Sequence, residues 1–220
     1  MILITTYYIT DNEARNEEIN LCLQKNYENK NITSIYLLNN KIYDLKYTDK
    51  IIQVIISNDF DYKLKYSDAI HFINDYLKDN ICILTNSDIY FDESLSKIDK
   101  NIIHNNFFAL LRYDENILFS RHGSPRNDSQ DSWIFESPLN IDINKLNFSF
   151  GTLGCDNMFA TYVNDTNILK ISNPCYDIIS NHVHATNHRT YYTDTRIHGK
   201  YCLITPCSLG ELPDLNFMDY

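Results

Sequence analysis

One polar triplet, Asn86-Ser87-Asp88, is separated only by Thr85 from an apolar run at residues 81–84 and leads into a second apolar group. This pattern predicts a buried parallel strand with polar side chains at its carboxyl end, where open α/β sheets bind ligands. A carboxylate held there, that of Asp88, can ligate a divalent metal ion that carries phosphates. The alternative is a strand followed by an ordinary Asn/Ser/Asp turn, which needs no ligand.

Two histidines near the carboxyl end, His182 and His184, are separated by one residue. In an extended segment, side chains at such positions project to the same side, so both imidazoles can meet one cation or one phosphate. We therefore hypothesise that this pair contacts a metal ion or a diphosphate. A structural role for each histidine is the competing interpretation.

Asp156 stands at the start of a predicted helix that follows a turn at Gly154. A carboxylate held near a hydroxyl group can remove its proton as a new bond forms, which makes Asp156 a candidate general base. The alternative is that Asp156 is a helix N-cap, because Asp is among the residues preferred at that position.

A polar loop at residues 121–131 precedes the only tryptophan of the chain, Trp133. Loops of this length within compact domains are often functional. We expect Gln130 and Asp131 to contact hydroxyl groups of a ligand, whereas the ring of Trp133 is expected to anchor a strand in the core.

The elements that position these residues alternate between strands and helices. Apolar and β-branched runs predict strands at residues 1–8, 32–38, 51–56, 81–84, 107–113, 132–135 and 168–171. Capping residues and helical spacing predict helices from Thr10 or Asp11 to Lys25 and over residues 66–77, and a turn followed by a helix over residues 154–162. Short connections between strand and helix favour right-handed crossovers. The sequence therefore predicts an α/β fold with a mainly parallel central sheet flanked by helices.

Composition restricts the class of protein further. A chain of 220 residues fits one domain with one sizeable core. The net charge of -10 argues against a nucleic-acid partner, whose phosphates would be repelled. No apolar run approaches the roughly 20 residues of a membrane span, and no secretory signal follows Met1, so we expect an intracellular protein without a membrane span. The six cysteines form no CxxC pair, which favours reduced thiols.

The ordered motifs resemble a known family. ILTNSDIYFDESL, SQDSWIF, GCDN and NHVHATNHRTY, together with the TTYY start, resemble the small GT-A nucleotide-sugar glycosyltransferases typified by the N-terminal domain of a multidomain chlorovirus glycosyltransferase. The resemblance implies a single GT-A-like domain over residues 1–220, with a nucleotide-sugar-binding half to about residue 100, an acceptor half to about residue 200 and a carboxyl-terminal tail. It also implies a viral protein of the host cytoplasm.

The resemblance assigns roles to individual residues. It places Asp88 as the metal ligand of a DxD-like motif in which Asn86 replaces the first Asp and hydrogen-bonds a ribose or a sugar. It implies Asp156 as the catalytic base, and His184 rather than His182 as a further metal ligand. It implies contacts to the nucleotide sugar for Thr5, Tyr7, Tyr8, Arg15, Lys63, Asn86, Ser87, Asp88, Gln130, Asp131 and Trp133.

The function expected from these residues is transfer of a hexose from a UDP-sugar, such as UDP-glucose or UDP-rhamnose, to an acceptor hydroxyl on a glycan with Mn²⁺ or Mg²⁺. Inversion is the expected stereochemistry, and a retaining enzyme is the alternative, since both use the same metal site. A nucleotidyltransferase is disfavoured because no basic Gly-rich loop follows the first strand. A non-catalytic nucleotide-sugar or carbohydrate-binding module is the other alternative: Asn86 favours it, whereas Asp88, Asp156 and His184 together favour an enzyme.

Overall fold

The fold is known from a computed structural model, which describes residues 1–59, 61–186, 196–213 and 215–220. Its strands are β1 Ile2–Thr5, β2 Ser34–Asn39, β3 Ile51–Ile55, β4 Ile81–Thr85, β5 Ile89–Phe91, β6 Asn106–Leu110, β7 Tyr113–Asp114, β8 Ile117–Leu118, β9 Ser120–Arg121, β10 Ser124–Pro125, β11 Ser132–Glu136, β12 Lys170–Ser172, β13 Ser180–His182, β14 Lys200–Ile204 and β15 Leu215–Asp219. Its α-helices are α1 Glu13–Glu28, α2 Tyr66–Tyr76, α3 Lys100–Ile103 and α4 Cys155–Asp165, with 3₁₀ turns at Glu93–Lys97 and Ile143–Leu146.

The main sheet has seven strands in the order β12-β6-β11-β4-β1-β2-β3. Every pairing in it is parallel except the two made by β11, which runs antiparallel to both β4 and β6. The predicted α/β fold with a mainly parallel sheet and flanking helices is therefore confirmed. From β1 the sheet extends to β2 and β3 on one side and to β4 on the other. Such a reversal of strand order opens a crevice at the carboxyl ends of the two central strands.

Consecutive residues of the central strands are buried on opposite faces of the sheet. Ile4 and Leu84 lie in the core cluster that contains α2 and α4, whereas Leu3 and Ile83 lie in the cluster that contains α1. Burial on both faces explains why these strands are nearly continuous apolar runs rather than alternating ones. The central strands are thus held rigidly from both sides, and only their ends are left for polar residues.

Helix α1 begins and ends at different residues from those predicted. Its N-cap is Asn12, whose side chain accepts a hydrogen bond from the Arg15 amide at 3.1 Å, so the prediction of Thr10 or Asp11 is wrong. Thr10 does not cap the helix because its hydroxyl oxygen accepts a hydrogen bond from the Asn12 amide at 3.1 Å, before the helix begins. The helix continues beyond Lys25 to Glu28, and the ammonium group of Lys50 donates to carbonyl groups of its last turn.

A second sheet, in the order β5-β13-β7-β8, lies beyond the carboxyl end of β4. The strand predicted over residues 107–113 is divided between the two sheets, since β6 ends at Leu110 and β7 begins at Tyr113. In β13, His182 is aligned with Ile89 of β5 and with Asp114 of β7. The second sheet therefore brings the first histidine next to the polar end of β4.

The polar loop, the cysteines and the helices can each be compared with the prediction from the sequence. The polar loop at residues 121–131 contains part of a short hairpin formed by β9 and β10. All six cysteines are free and buried. No helix in the described parts of the chain combines the length and the apolar character that crossing a membrane requires.

The start of α4 generates a stability prediction. Gly154 has a φ of +82°, and a Cβ atom there would overlap the hydroxyl of Tyr201, which packs against the helix. Gly151 has a similar φ of +76° but open space around it. We expect Gly154→Ala to lower the free energy of unfolding by about 1–3 kcal/mol more than Gly151→Ala does, because only the first adds overpacking to backbone strain. Urea unfolding of both variants measures the difference, and equal losses would contradict the predicted overlap.

Candidate active and metal site

A cavity of about 610 Å³ lies at the carboxyl ends of β1, β2 and β4, where the strand order reverses. Residues far apart in the sequence meet there. The sequence-predicted residues that line it are Tyr7, Tyr8, Arg15, Lys63, Asn86, Ser87, Asp88, Gln130, Asp131, Trp133, Asp156, His182 and His184. Both the proposed metal ligands and the proposed base therefore face one cavity.

Thr5 is the exception among the predicted residues. It is the last residue of β1, it is buried, and its hydroxyl has no hydrogen-bond partner among the described residues. Its neighbours Thr6 and Tyr7 line the cavity instead. The strand thus ends one residue before the cavity begins.

Aromatic side chains form one wall of the cavity. The ring of Tyr7 packs edge-on against that of Tyr43 with their centroids 5.0 Å apart, and its hydroxyl donates to Asn20 at 2.8 Å. The Asn39 side chain accepts a hydrogen bond from the Tyr7 amide at 2.9 Å, while its buried Nδ2 has no partner among the described residues. An apolar wall with an unused amide donor suits a planar ring that carries hydrogen-bond acceptors.

The polar end of β4 and the histidine pair meet at this cavity. Asp88 Oδ2 lies 3.4 Å from His182 Nε2 and 3.5 Å from His184 Nδ1. One ligand atom from each of the three residues lies within 4.8 Å of the others. The His184 Nε2 atom is buried without a hydrogen-bond partner among the described residues. One carboxylate and two imidazoles, one of which has an unpaired nitrogen, form a donor set that suits a divalent transition-metal ion.

His182 is oriented by a second carboxylate. Its Nδ1 lies 2.7 Å from Asp114 Oδ1, which turns Nε2 towards Asp88. Burial opposes the charged imidazole, but the hydrogen bonds to Asp114 and Asp88 outweigh it and raise the pKa of His182 to about 9. A carboxylate on the far side of a histidine is the arrangement that orients metal-ligating imidazoles in general.

Arg15 also contacts Asp88. Its guanidinium donates to Asp88 Oδ2 at 2.7 Å and to Glu18 Oε2 at 2.9 Å, and it is 6% exposed. Burial alone would raise the pKa of Asp88, but hydrogen bonds from His182 and His184 and the charge of Arg15 hold it well below its usual range. Asp88 is therefore an anion at neutral pH and is paired with a cation of the protein.

The charges around Asp88 leave room for a divalent cation. The ion pairs that connect the site contain two arginines and four carboxylates, which are Arg15, Arg112, Glu18, Asp88, Asp114 and Asp131. With neutral histidines, these six side chains carry two more negative charges than positive ones. Buried charges are costly unless they are paired, so this excess favours either protonated histidines or a bound divalent cation.

Asp131 contacts Asn86, the first residue of the Asn86-Ser87-Asp88 triplet. Its carboxylate accepts hydrogen bonds from the Asn86 side chain at 3.0 Å and from Arg112 Nη1 at 3.2 Å. Arg112 also donates from Nε to Asp114 at 3.1 Å. The Asn86 amide therefore holds Asp131 in this structure, and Arg112 links Asp131 to the carboxylate that orients His182.

Asp156 lies in the first turn of α4, two residues after the N-cap position, which is occupied by Gly154. The N-cap alternative for Asp156 is therefore wrong. Its Oδ2 accepts a hydrogen bond from the Gln130 amide at 3.0 Å. Burial, together with the negative charge of Asp131, raises the pKa of Asp156 to about 6, although hydrogen bonds from backbone amides oppose this shift. A carboxylate with such a pKa is a stronger base than an ordinary Asp and is still ionised at neutral pH.

Three charged residues of the site were not predicted from the sequence: Glu18, Arg112 and Asp114. Arg112 and Asp114 lie at the end of a predicted strand, so the rule that identified Asp88 could have found them. Glu18 is three residues after Arg15, a spacing at which helical side chains meet. Lys63 is exposed at the cavity rim. Residues 187–191 of the last motif, with His188 and Arg189, lie outside the described residues.

Comparison with known proteins does not identify the chain. A scan against protein-family models finds no match, and a search of curated proteins also finds none. The function must therefore be argued from the residues of the site.

The raised pKa of Asp156 predicts a pH-dependent effect on stability. The folded state holds the Asp156 proton to a pKa of about 6, whereas the ordinary value is 3.8. Ionisation therefore disfavours the folded state progressively as the pH rises from about 4 to 6, and the full penalty is present above 6. Asp156→Asn cannot ionise and keeps an acceptor oxygen. We expect its melting temperature, relative to that of the parent, to rise between pH 4 and pH 7, as measured by calorimetry; a constant difference would contradict the raised pKa.

Proposed function

We propose that the chain is a metal-dependent glycosyltransferase that moves a hexose from a UDP-sugar to an acceptor hydroxyl, with inversion at the anomeric carbon. One observation carries the proposal: Asp88, His182 and His184 meet at the strand-order reversal, in the same cavity as Asp156 with its pKa near 6. The resemblance of the motifs to small GT-A glycosyltransferases agrees with this combination. A metal site alone, or a strong base alone, would support many functions.

Binding of the donor is assigned to the end of the cavity formed by β1, β2 and β4. The Tyr7 and Tyr43 rings and the free Asn39 amide suit the nucleobase. The diphosphate then lies towards Asp88, where His182 and His184 would hold Mn²⁺ together with that carboxylate. A bound ion of this kind supplies positive charge that offsets the charge developing on the leaving diphosphate.

The transfer step itself is assigned to Asp156. Its carboxylate removes the proton of the acceptor hydroxyl while that oxygen attacks the anomeric carbon in line with the departing diphosphate. Asp131 is a less suitable base because Arg112 and Asn86 already occupy its oxygens. Direct attack by the acceptor needs no covalent intermediate and inverts the configuration.

A second candidate is a nucleotide-sugar-binding module without turnover. The observation in its favour is the ion pair between Arg15 and Asp88 at 2.7 Å, since a protein cation already occupies one oxygen of the expected metal ligand. Hydrolysis of UDP-sugars in the presence of Mn²⁺ distinguishes the two candidates, because a binding module leaves the donor intact.

The metal assignment predicts which substitutions weaken UDP binding. We expect Asp88→Ala to abolish Mn²⁺-dependent UDP binding. His184→Ala should weaken it at least about tenfold and more than His182→Ala does, because His182 already contacts Asp88 and Asp114 and, with its pKa raised to about 9, must lose a proton before it can ligate a metal ion. Titration calorimetry with and without Mn²⁺ measures these effects. The control is His71→Ala, which removes an exposed histidine on α2. Tight, Mn²⁺-dependent binding by Asp88→Ala would refute the assignment.

The base assignment predicts a separate effect on transfer. Asp156→Asn should keep its fold and bind UDP normally, but lose transfer by at least about a hundredfold, because the amide cannot accept a proton. In the parent, the rate should rise with pH through about 6, where Asp156 ionises. The matched control is Asp165→Asn, at the exposed end of the same helix. Transfer assays over pH 5–8 test both statements, and near-parental transfer by a folded Asp156→Asn variant would assign the base to another residue.

A further inference from the structure

Glu18 is a buried carboxylate that accepts hydrogen bonds from two separate parts of the chain. On its own helix, Arg15 Nη1 donates to Oε2 at 2.9 Å. From the segment after β13, the Thr186 amide donates to Oε1 at 2.9 Å and the Thr186 hydroxyl donates to Oε2 at 3.1 Å. Burial would raise the pKa of Glu18, but the hydrogen bonds from Arg15 and Thr186 lower it below the usual value. Glu18 therefore does more than pair with Arg15, because it also binds Thr186 in a different segment of the chain.

Residues 183–186, called here the His184 segment, are held at both ends. At one end, the Val183 amide donates to the Asp88 carbonyl at 2.9 Å, and the Val183 carbonyl accepts from Arg15 at 3.3 Å. At the other end, Thr186 is bound to Glu18. His184 lies between these two attachments. The Glu18 attachment therefore positions the backbone on the carboxyl side of His184.

We propose that Glu18 is a positioning residue for His184: through Thr186 it holds the His184 segment against α1, and so keeps the imidazole at Asp88 ready to bind a divalent cation. This role rests on the proposed function in so far as it concerns the metal ion. Glu18 itself does not contact the cation. Outer residues that orient a ligand typically change metal affinity by about 10–100-fold when they are removed.

The experiment compares Glu18→Ala and Thr186→Val with the control Glu17→Ala, which removes an exposed carboxylate next to Glu18 on the same helix. Two quantities are measured: hydrogen exchange of the backbone amides at residues 183–186 without metal, and Mn²⁺ affinity from the electron paramagnetic resonance signal of the free ion. Glu18→Ala should speed exchange in the segment and weaken Mn²⁺ binding about 10–100-fold. Thr186→Val loses only one hydrogen bond and should shift both quantities less, in the same direction. Glu17→Ala should shift neither.

The same substitutions in a His184→Ala background show whether Glu18 acts on the metal site through His184 or through Arg15 and Asp88. If Glu18 acts by positioning His184, Glu18→Ala should cost less than about twofold in Mn²⁺ affinity in that background, because coupled residues are not additive. An undiminished loss there would show that Glu18 acts through Arg15 and Asp88, and would overturn the proposal. Unchanged exchange in Glu18→Ala would also overturn it.

Two further outcomes are a parent protein that binds no Mn²⁺ and a Glu18→Ala variant that does not fold. If the parent binds no Mn²⁺, the metal part of the proposed function fails, and the exchange data alone decide whether Glu18 holds the segment. If Glu18→Ala does not fold, Thr186→Val decides, because it removes a single hydroxyl from a partly exposed position. Parental exchange and parental Mn²⁺ affinity in that variant would then reject the proposal.

Discussion

The structure of the site depends on one buried anion, the carboxylate of Asp88 at the carboxyl end of β4. An anion buried at this depth is costly unless cations or hydrogen-bond donors surround it. Its partners come from α1 and from the region of β13, through Arg15, His182 and His184. The requirement to pair Asp88 therefore brings together a helix that begins more than 70 residues before it and a strand region that lies more than 90 residues after it.

Local patterns were sufficient to predict much of this arrangement. The apolar run before Asn86 identified β4, and the rule that parallel strands present ligand-binding residues at their carboxyl ends identified Asp88. The spacing of His182 and His184 predicted a shared side, and both imidazoles do approach one oxygen of Asp88. The assignment of Thr5 came from the family resemblance instead, and Thr5 does not line the cavity because it is still part of β1, with its side chain buried.

Long-range pairing explains what the sequence could not predict. Strand β11 inserts antiparallel between β4 and β6, so that its first residue, Ser132, is aligned with Thr85 at the end of β4. The residues just before β11 therefore meet those just after β4, and Asn86 contacts Asp131. No local pattern specifies the partner of a strand. For the same reason the contact between Asp114 and His182 could not be predicted, because it depends on β7 lying beside β13.

The proposed metal site at Asp88 and the proposed base, Asp156, are parts of one electrostatic network. Asp88 is connected through His182, Asp114 and Arg112 to Asp131, whose charge contributes to the raised pKa of Asp156. A divalent cation at Asp88 would add positive charge to this network even if it displaced a proton from His182, and added positive charge favours the ionised form of Asp156 and so lowers its pKa. The pKa of the base is thus a property of the whole network rather than of Asp156 alone.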